Sequence, residues 1–213
     1  MDEPLSLRDL RLPPSLLRKG ERTRDSILND AVALASQVGL EGLSIGALAL
    51  RTGMSKSGLF AHFGSKEELQ RGTLGRAEQL FRERVFQPAM AHPAGLPRLQ
   101  ALMDNWLAYT AGCEESPGGC LLVAAAMEYD DRPGPMRSVV AEGQRELRGA
   151  IAKAVRMAID SRELRSDVDP WQFTFELYGI VLAAHHERRL LDDRRANERA
   201  RRAFERLVRS AVP

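Results

Sequence analysis

The stretch between Gly42 and Lys66 contains no Asp or Glu, although 28% of the residues in the 213-residue chain are charged. Its basic side chains, interleaved with Ser, Thr and Gly, are Arg51, Lys56, His62 and Lys66. Nucleic-acid phosphates attract cations and repel carboxylates, so a surface of this composition predicts contact with DNA. Each residue alone also fits an ordinary solvated or capping position, and the DNA interpretation rests on their occurring together and in order.

Three serines mark the starts of helices around this stretch. Ser44 and Ser55 each precede a short apolar helical segment, and Ser65 opens the capping-box pattern Ser65-Lys66-Glu67-Glu68. Gly53 stops the first of these helices and leaves a tight turn before the second. A helix pair joined by a turn that contains Gly is typical of the helix-turn-helix motif.

Helical periodicity continues through the rest of the chain, with apolar residues at spacings of three and four. The predicted fold class is all-α with about nine helices, the first running from about Thr23 to Val38 and the fourth from Ser65 to about Phe86. The apolar run Cys120–Met127 fits a helix or a buried strand, and its Ala and Met content favours the helix. We expect a flexible arm over residues 1–20, a DNA-binding domain over 21–66 and a larger helical domain over 67–213.

Composition narrows the class of protein. An apolar content of 44% argues against disorder, and a net charge of +2 restricts any DNA-binding surface to a local patch. Two cysteines are too few for a disulfide framework and suit a reducing compartment. No apolar run approaches the roughly 20 residues that span a bilayer, and no signal peptide is visible, so we expect a cytoplasmic protein without a membrane partner.

The ordered residues from Thr23 to Leu69 resemble the TetR family of transcriptional regulators. The matching segments include Gly39-Leu40-Glu41-Gly42-Leu43-Ser44-Ile45, Thr52-Gly53-Met54-Ser55-Lys56-Ser57-Gly58-Leu59-Phe60, His62-Phe63 and Ser65-Lys66-Glu67-Glu68-Leu69. The resemblance implies a three-helix DNA-binding domain, a helical domain for effector binding and dimerisation, and an operator DNA with two half-sites.

The same resemblance assigns DNA-binding roles to individual residues, which are Ser44, Ser55, Lys56, Ser57, Gly58, Phe60, His62 and Lys66. Ser55 to Phe63 would be the recognition helix in the major groove. Lys56 would reach a base edge or a phosphate, and His62 and Lys66 would reach phosphates. Phe60 stands where the family often has Tyr, so a hydroxyl contact is missing, and stacking on a thymine methyl is the contact left open to this side chain.

A small-molecule effector is expected between the helices of the second domain. The candidate lining residues are Met103, Trp106, Tyr109, Cys120, Val123, Met127, Tyr129, Phe175 and Tyr178. Apolar and aromatic side chains of this kind suit a hydrophobic or aromatic effector, and each one also suits ordinary core packing. The last two predicted helices, 170–191 and 195–211, contain Gly179 and Ala183-Ala184 and are expected to form a homodimer interface.

Two other classes of function compete with this one. A small all-α enzyme would need a nucleophile, base or metal constellation, and the sequence shows no HExxH motif and no Gly-rich phosphate loop. His185 and His186 are adjacent and point to different faces of a helix, so no metal site and no cofactor is predicted. A helical adaptor that does not bind DNA would show no salt-dependent affinity for it.

Overall fold

The computed structural model of the chain describes residues 19–213, with side chains from Arg24 onward. Within this range the fold is helical throughout, with no strand. The helices are α1 (Lys19–Val38), α2 (Ile45–Thr52), α3 (Lys56–Phe63), α4 (Lys66–Phe81), α5 (Gln87–Met90), α6 (Leu96–Thr110), α7 (Leu121–Glu128), α8 (Pro135–Asp160), α9 (Pro170–Leu190) and α10 (Ala196–Ala211). A π-helical turn, Arg82–Phe86, joins α4 to α5.

The all-α prediction is confirmed over the described range, where α4, the π turn and α5 together correspond to the single predicted fourth helix. That helix runs four residues further than expected, to Met90. The first helix begins at Lys19 rather than at Thr23. Most of the predicted N-terminal arm, residues 1–18, lies outside the described residues.

The run from Cys120 to Met127 is helical, as the Ala and Met content favoured. α7 spans Leu121–Glu128 with Cys120 at its N-cap. One face of this short helix carries Leu121 and Ala125, both almost fully buried. Because it is buried on more than one side, its apolar residues form a continuous run rather than an amphipathic stripe.

Two groups of buried apolar side chains hold the fold together. The first, called here the N-terminal cluster, joins α1–α4 to parts of α7 and α8 and includes Leu40, Leu48, Leu59, Leu69, Leu121 and Tyr129. The second, called the C-terminal core, joins the end of α4 to α6–α10 and includes Phe81, Trp106, Cys120, Ile151, Phe173 and Phe204. α4, α7 and α8 contribute to both, so the helix-turn-helix is held against the larger domain by packing.

Candidate DNA-binding surface

Serine side chains fix the first turns of α2, α3 and α4. Ser44 Oγ accepts a hydrogen bond from the Ala47 N–H, and Ser55 Oγ accepts one from the Gly58 N–H, both at 3.1 Å. Ser65 Oγ caps α4 in the same way, accepting from the Glu68 N–H at 3.1 Å. These bonds confirm the predicted caps. Each hydroxyl uses a lone pair as acceptor, so its O–H can still be donated to a phosphate oxygen.

The turn between α2 and α3 is set by Gly53 and Thr52. Gly53 has φ of 69°, in the left-handed region where a side chain is strained. Thr52 Oγ1 donates to the Leu48 carbonyl at 2.9 Å and accepts from the Met54 N–H at 3.4 Å. Leu48 and Leu59, one from each helix, are fully buried. The pair is therefore a fixed helix-turn-helix with a defined outer face.

The outer face of α3 presents the residues that the sequence had singled out. Lys56 and Ser57 are exposed, and Phe60 leaves 57% of its surface open to solvent. Leu59 and Phe63, in the same helix, are buried in the N-terminal cluster. A large aromatic side chain kept out of the core is available for contact with another molecule.

Lys56 extends back over the first turn of α2. A Cβ built on Gly46 would lie 3.6 Å from Lys56 Cε and 3.9 Å from both Lys56 Nζ and Ser44 Oγ. The Lys56 ammonium, the Ser44 hydroxyl and the N-terminal end of α2 therefore occupy one small region. A helix N-terminus carries unpaired N–H groups and a partial positive charge, so this combination suits a phosphate group.

Lys66 and His62 have contacts that the sequence did not reveal. Lys66 Nζ donates to the Glu41 carbonyl at 2.7 Å and to Glu41 Oε2 at 3.0 Å, so its charge is partly matched inside the protein. His62 is half-buried, and its carbonyl accepts a hydrogen bond from Arg24 Nη1 at 2.7 Å. The Arg24 guanidinium also lies 4.9 Å from the centre of the Phe63 ring. Arg24 thus ties α1 to the end of α3.

Glu41 is the first acidic residue before the acid-free stretch, and it is a centre of hydrogen bonding. Its carboxylate accepts from Tyr129 Oη, from Lys66 Nζ and from Gln70 Nε2. The Tyr129 hydroxyl and the Lys66 ammonium hold the pKa of this carboxyl below its ordinary value. Tyr129 is 88 residues away in sequence, so no local pattern signals the contact.

The predicted effector-binding residues fall into three locations. Six of them are buried in the C-terminal core: Met103, Trp106, Tyr109, Cys120, Val123 and Tyr178. Met127 and Phe175 are exposed over 56% and 70% of their surfaces, so neither faces an interior cavity. Tyr129 is buried in the N-terminal cluster against Glu41.

Aromatic rings pack against one another at the centre of the C-terminal core. The centre of the Phe81 ring lies 5.1 Å from the centre of the Trp106 ring and 5.9 Å from that of the Tyr109 ring, and both pairs are edge-on. The centres of the Trp106 and Tyr178 rings are 5.9 Å apart. Tyr178 Oη donates to Gln144 Oε1 at 2.8 Å. Within the described residues, Trp106 Nε1 and Tyr109 Oη are buried without a hydrogen bond of ordinary geometry, and the side chains of Cys120 and Ser116 lie close to them.

Burial also determines the state of the two cysteines. It raises the pKa of Cys120 to about 11 and raises the pKa of Cys113 above its ordinary value. Both thiols are therefore protonated near neutral pH, the less reactive form. Over residues 19–213 no group of three or more His, Cys, Asp or Glu side chains is arranged to hold a metal ion. In the same range no helix is long and apolar enough to cross a membrane.

The fold and this surface define a class of protein, the helix-turn-helix regulators with a helical C-terminal domain. The model of the TetR family of bacterial regulatory proteins matches residues 27–71, and that of the tetracyclin repressor-like C-terminal domain matches residues 95–204. Together they cover more than half of the chain. The chain belongs to the TetR family of transcriptional regulators.

Solved structures of family members share the whole architecture. A TetR regulator from Chloroflexus aurantiacus J-10-FL is 27% identical, with 91% of this chain and 96% of that chain covered and a TM-score of 0.79. A TetR-family regulator from Streptomyces coelicolor is 19% identical over 92% and 98%, with a TM-score of 0.74. AibR, solved in complex with isovaleryl coenzyme A and operator DNA, is 24% identical over 89% and 98%, with a TM-score of 0.66. The search of curated proteins gave no match.

Proposed function

We propose that this regulator is a homodimeric repressor that binds a palindromic operator through α3 and leaves it when a small hydrophobic or aromatic effector enters the C-terminal core. The observation that carries the proposal is the exposed face of α3, where Lys56, Ser57 and Phe60 stand on a helix-turn-helix without carboxylates. Such a face can enter a major groove without electrostatic repulsion.

Each predicted DNA-binding residue has a role in this proposal. Lys56, Ser44 and the first turn of α2 would hold one phosphate, and Ser57 and Phe60 would face base edges. Ser55 and Gly58 share the N-terminal turn of α3, where a small residue allows the backbone to approach the DNA. His62 would contact a phosphate, as would Lys66 once its ammonium turns from Glu41 towards DNA.

We propose that α9 and α10 form the dimer interface. An open groove of about 740 Å³ lies between them, with Gly179, Ala183 and Ala203 among its lining residues. Glu176, Glu187, Arg199 and Arg206 also line it. A surface with both signs of charge can match a second copy of itself across a two-fold axis, and small residues allow close helix approach. Exposed Trp171 and Phe175 on α9 would be covered in the same dimer.

The C-terminal core supports the effector part of the proposal. Trp106 Nε1 and Tyr109 Oη are buried donors that a ligand oxygen or nitrogen could pair, and the surrounding rings suit an apolar or aromatic body. Met103, Cys120, Val123 and Tyr178 would complete the lining. In AibR, whose structure contains both isovaleryl coenzyme A and operator DNA, one protein binds a small molecule and DNA.

The remaining assignments follow from this function. We divide the chain near residue 66, although α4 carries side chains of both clusters. A regulator that binds the bacterial chromosome acts in the cytoplasm, and we assign the chain no catalytic activity.

Selection of DNA from a random duplex pool tests the proposal. The purified protein is expected to enrich a consensus with two inverted half-sites, bound more weakly as salt rises because phosphate contacts release counterions. A pool that stays random after repeated rounds would overturn the assignment. Enrichment of one unrepeated half-site would overturn its dimeric part.

A further inference from the structure

The C-terminal end of α7 is hydrogen-bonded to the loop between α1 and α2. Glu128 Oε2 accepts a hydrogen bond from the Leu40 N–H at 2.7 Å, and Glu128 Oε1 accepts one from the Glu41 N–H at 2.9 Å. A Cβ on Gly39, which has φ of 81°, would lie 2.8 Å from Glu128 Oε1, so a side chain there would push the carboxylate from its present position. One carboxylate from the larger domain thus holds two backbone groups of the DNA-binding domain, and charged hydrogen bonds of this kind are strong.

The next residue, Tyr129, extends this contact to α4. Its hydroxyl donates to Glu41, whose carboxylate also receives Lys66 Nζ and Gln70 Nε2. Gln70 Nε2 in addition donates to the Leu40 carbonyl at 2.9 Å. The α1–α2 loop, the start of α4 and the end of α7 are therefore connected through one set of hydrogen bonds.

The other end of α7 lies in the proposed effector region. Cys120 and Val123 pack in the C-terminal core with Trp106, whereas Leu121, Ala125 and Tyr129 pack in the N-terminal cluster. α7 has eight residues, so its two ends are about 12 Å apart along one continuous helix.

We propose that Glu128 and Tyr129 are positioning residues that fix the orientation of the helix-turn-helix on the C-terminal domain. This inference rests on the proposed dimeric DNA binding. Neither residue faces DNA in this arrangement. Each acts by setting the direction of α3, so that two recognition helices reach two half-sites together.

The expected consequence is a loss of simultaneous binding. Two linked sites bind tightly only when geometry lets both engage, and a loosened domain lowers the effective concentration of the second contact. The double variant Glu128→Gln/Tyr129→Phe is expected to bind the two-half-site consensus about tenfold more weakly, within the usual range for coupling between sites. Its affinity for a duplex with one half-site should equal that of the wild type, because α3 is unchanged.

The experiment measures both affinities by fluorescence anisotropy, with consensus and half-site duplexes taken from the wild-type selection. Glu142→Gln is the matched control for the lost carboxylate, since Glu142 is exposed on α8, and it should bind both duplexes as the wild type does. Glu128→Ala removes both acceptor oxygens and should weaken two-site binding more than Glu128→Gln, which retains one. Thermal unfolding and gel filtration establish that each variant is a folded dimer.

The outcomes separate this inference from the proposed function. If the wild type binds no consensus sequence, the proposed function itself is wrong. Tight two-site binding by the double variant overturns only the positioning role. An equal loss of affinity for both duplexes also overturns the positioning role, because damage to the DNA-binding domain would weaken binding to each half-site equally. A consensus with one base pair inserted between its half-sites should be discriminated less strongly by the variant than by the wild type.

Discussion

The Gly118 N–H donates a 2.9 Å hydrogen bond to Ser36 Oγ, joining the segment before α7 to the end of α1. Both residues are buried, and the Ser36 hydroxyl in turn donates to the Ala33 carbonyl at 2.9 Å. A Cβ on Gly118 would lie 1.7 Å from the Ser36 carbonyl oxygen. The two domains are thus in backbone contact at a position that accepts no side chain. This contact and the hydrogen bonds of Glu128 together attach α7 to the DNA-binding domain near each of its ends.

Gly118→Ala is expected to lower the free energy of unfolding by about 1–3 kcal/mol, the usual cost of overpacking a tight contact. The added methyl must displace the backbone of α1 or of the segment before α7. Urea unfolding measures the change. Gly75→Ala is the control: its Cβ meets no atom within 4 Å and it lies inside α4, so that variant should be as stable as the wild type or slightly more stable. Equal stabilities for the two variants would contradict the close approach at Gly118.

Lys56→Ala/His62→Ala is expected to weaken binding of the consensus and leave the dimer intact. If Lys56 holds a phosphate in each protomer, the slope of log affinity against log salt should fall by about 2 per dimer. Filter binding at several salt concentrations gives this slope. The control Lys153→Ala/His92→Ala removes the same residue types from exposed positions outside α1–α4, and it should leave the slope of log affinity against log salt unchanged. Unaltered binding by the first double variant would show that the site is elsewhere.

Local features of the DNA-binding domain could be predicted from the sequence because they depend on neighbouring residues. Ser44, Ser55 and Ser65 cap the helices that follow them, and Gly53 takes the left-handed turn. The contacts of Lys66 could not be predicted. Its partner Glu41 is 25 residues earlier and is itself held by Tyr129 across the domain contact. Only tertiary packing brings these three side chains together.

The effector region shows the same limit. Trp106 lies on the apolar stripe of α6 and is buried, as its spacing indicated, and Tyr109 is buried in the same helix. Phe173 and Phe175 are two residues apart on α9, and Phe173 is 2% exposed whereas Phe175 is 70% exposed. Residue type alone suggested Phe175 for a pocket. Helical periodicity distinguishes Phe173 from Phe175, because it groups Phe173 with Leu177 and Val181 on one face of the helix.

Gly179→Arg tests the proposed α9–α10 dimer interface. Gly179 lines the groove between α9 and α10, and a Cβ there meets no atom of its own chain within 4 Å. The substitution should therefore leave the protomer folded and separate the dimer, because a long charged side chain would occupy the surface of the second copy. Sedimentation velocity measures the mass of the particle.

Gly149→Arg is the matched control for this substitution. Gly149 is also helical and equally free of neighbours for a Cβ, but it lies on α8. That variant should remain dimeric at protein concentrations that dissociate Gly179→Arg. A dimer that persists in both variants would place the interface on another surface.

His185 is expected to make stability depend on pH. Burial, and next the charge of Arg189, lowers its pKa to about 4 from the ordinary value of 6.5. Between these values the unfolded chain binds a proton that the folded chain excludes, so this contribution to stability is complete above about pH 6.5 and is lost as pH falls towards 4. The loss of stability is up to about 3 kcal/mol.

Urea unfolding at pH 7 and pH 4.5 should show a smaller loss of stability in acid for His185→Gln than for the wild type. His92→Gln, at an exposed site, should retain the wild-type difference, and an equal acid loss in all three proteins would rule out His185 as its source.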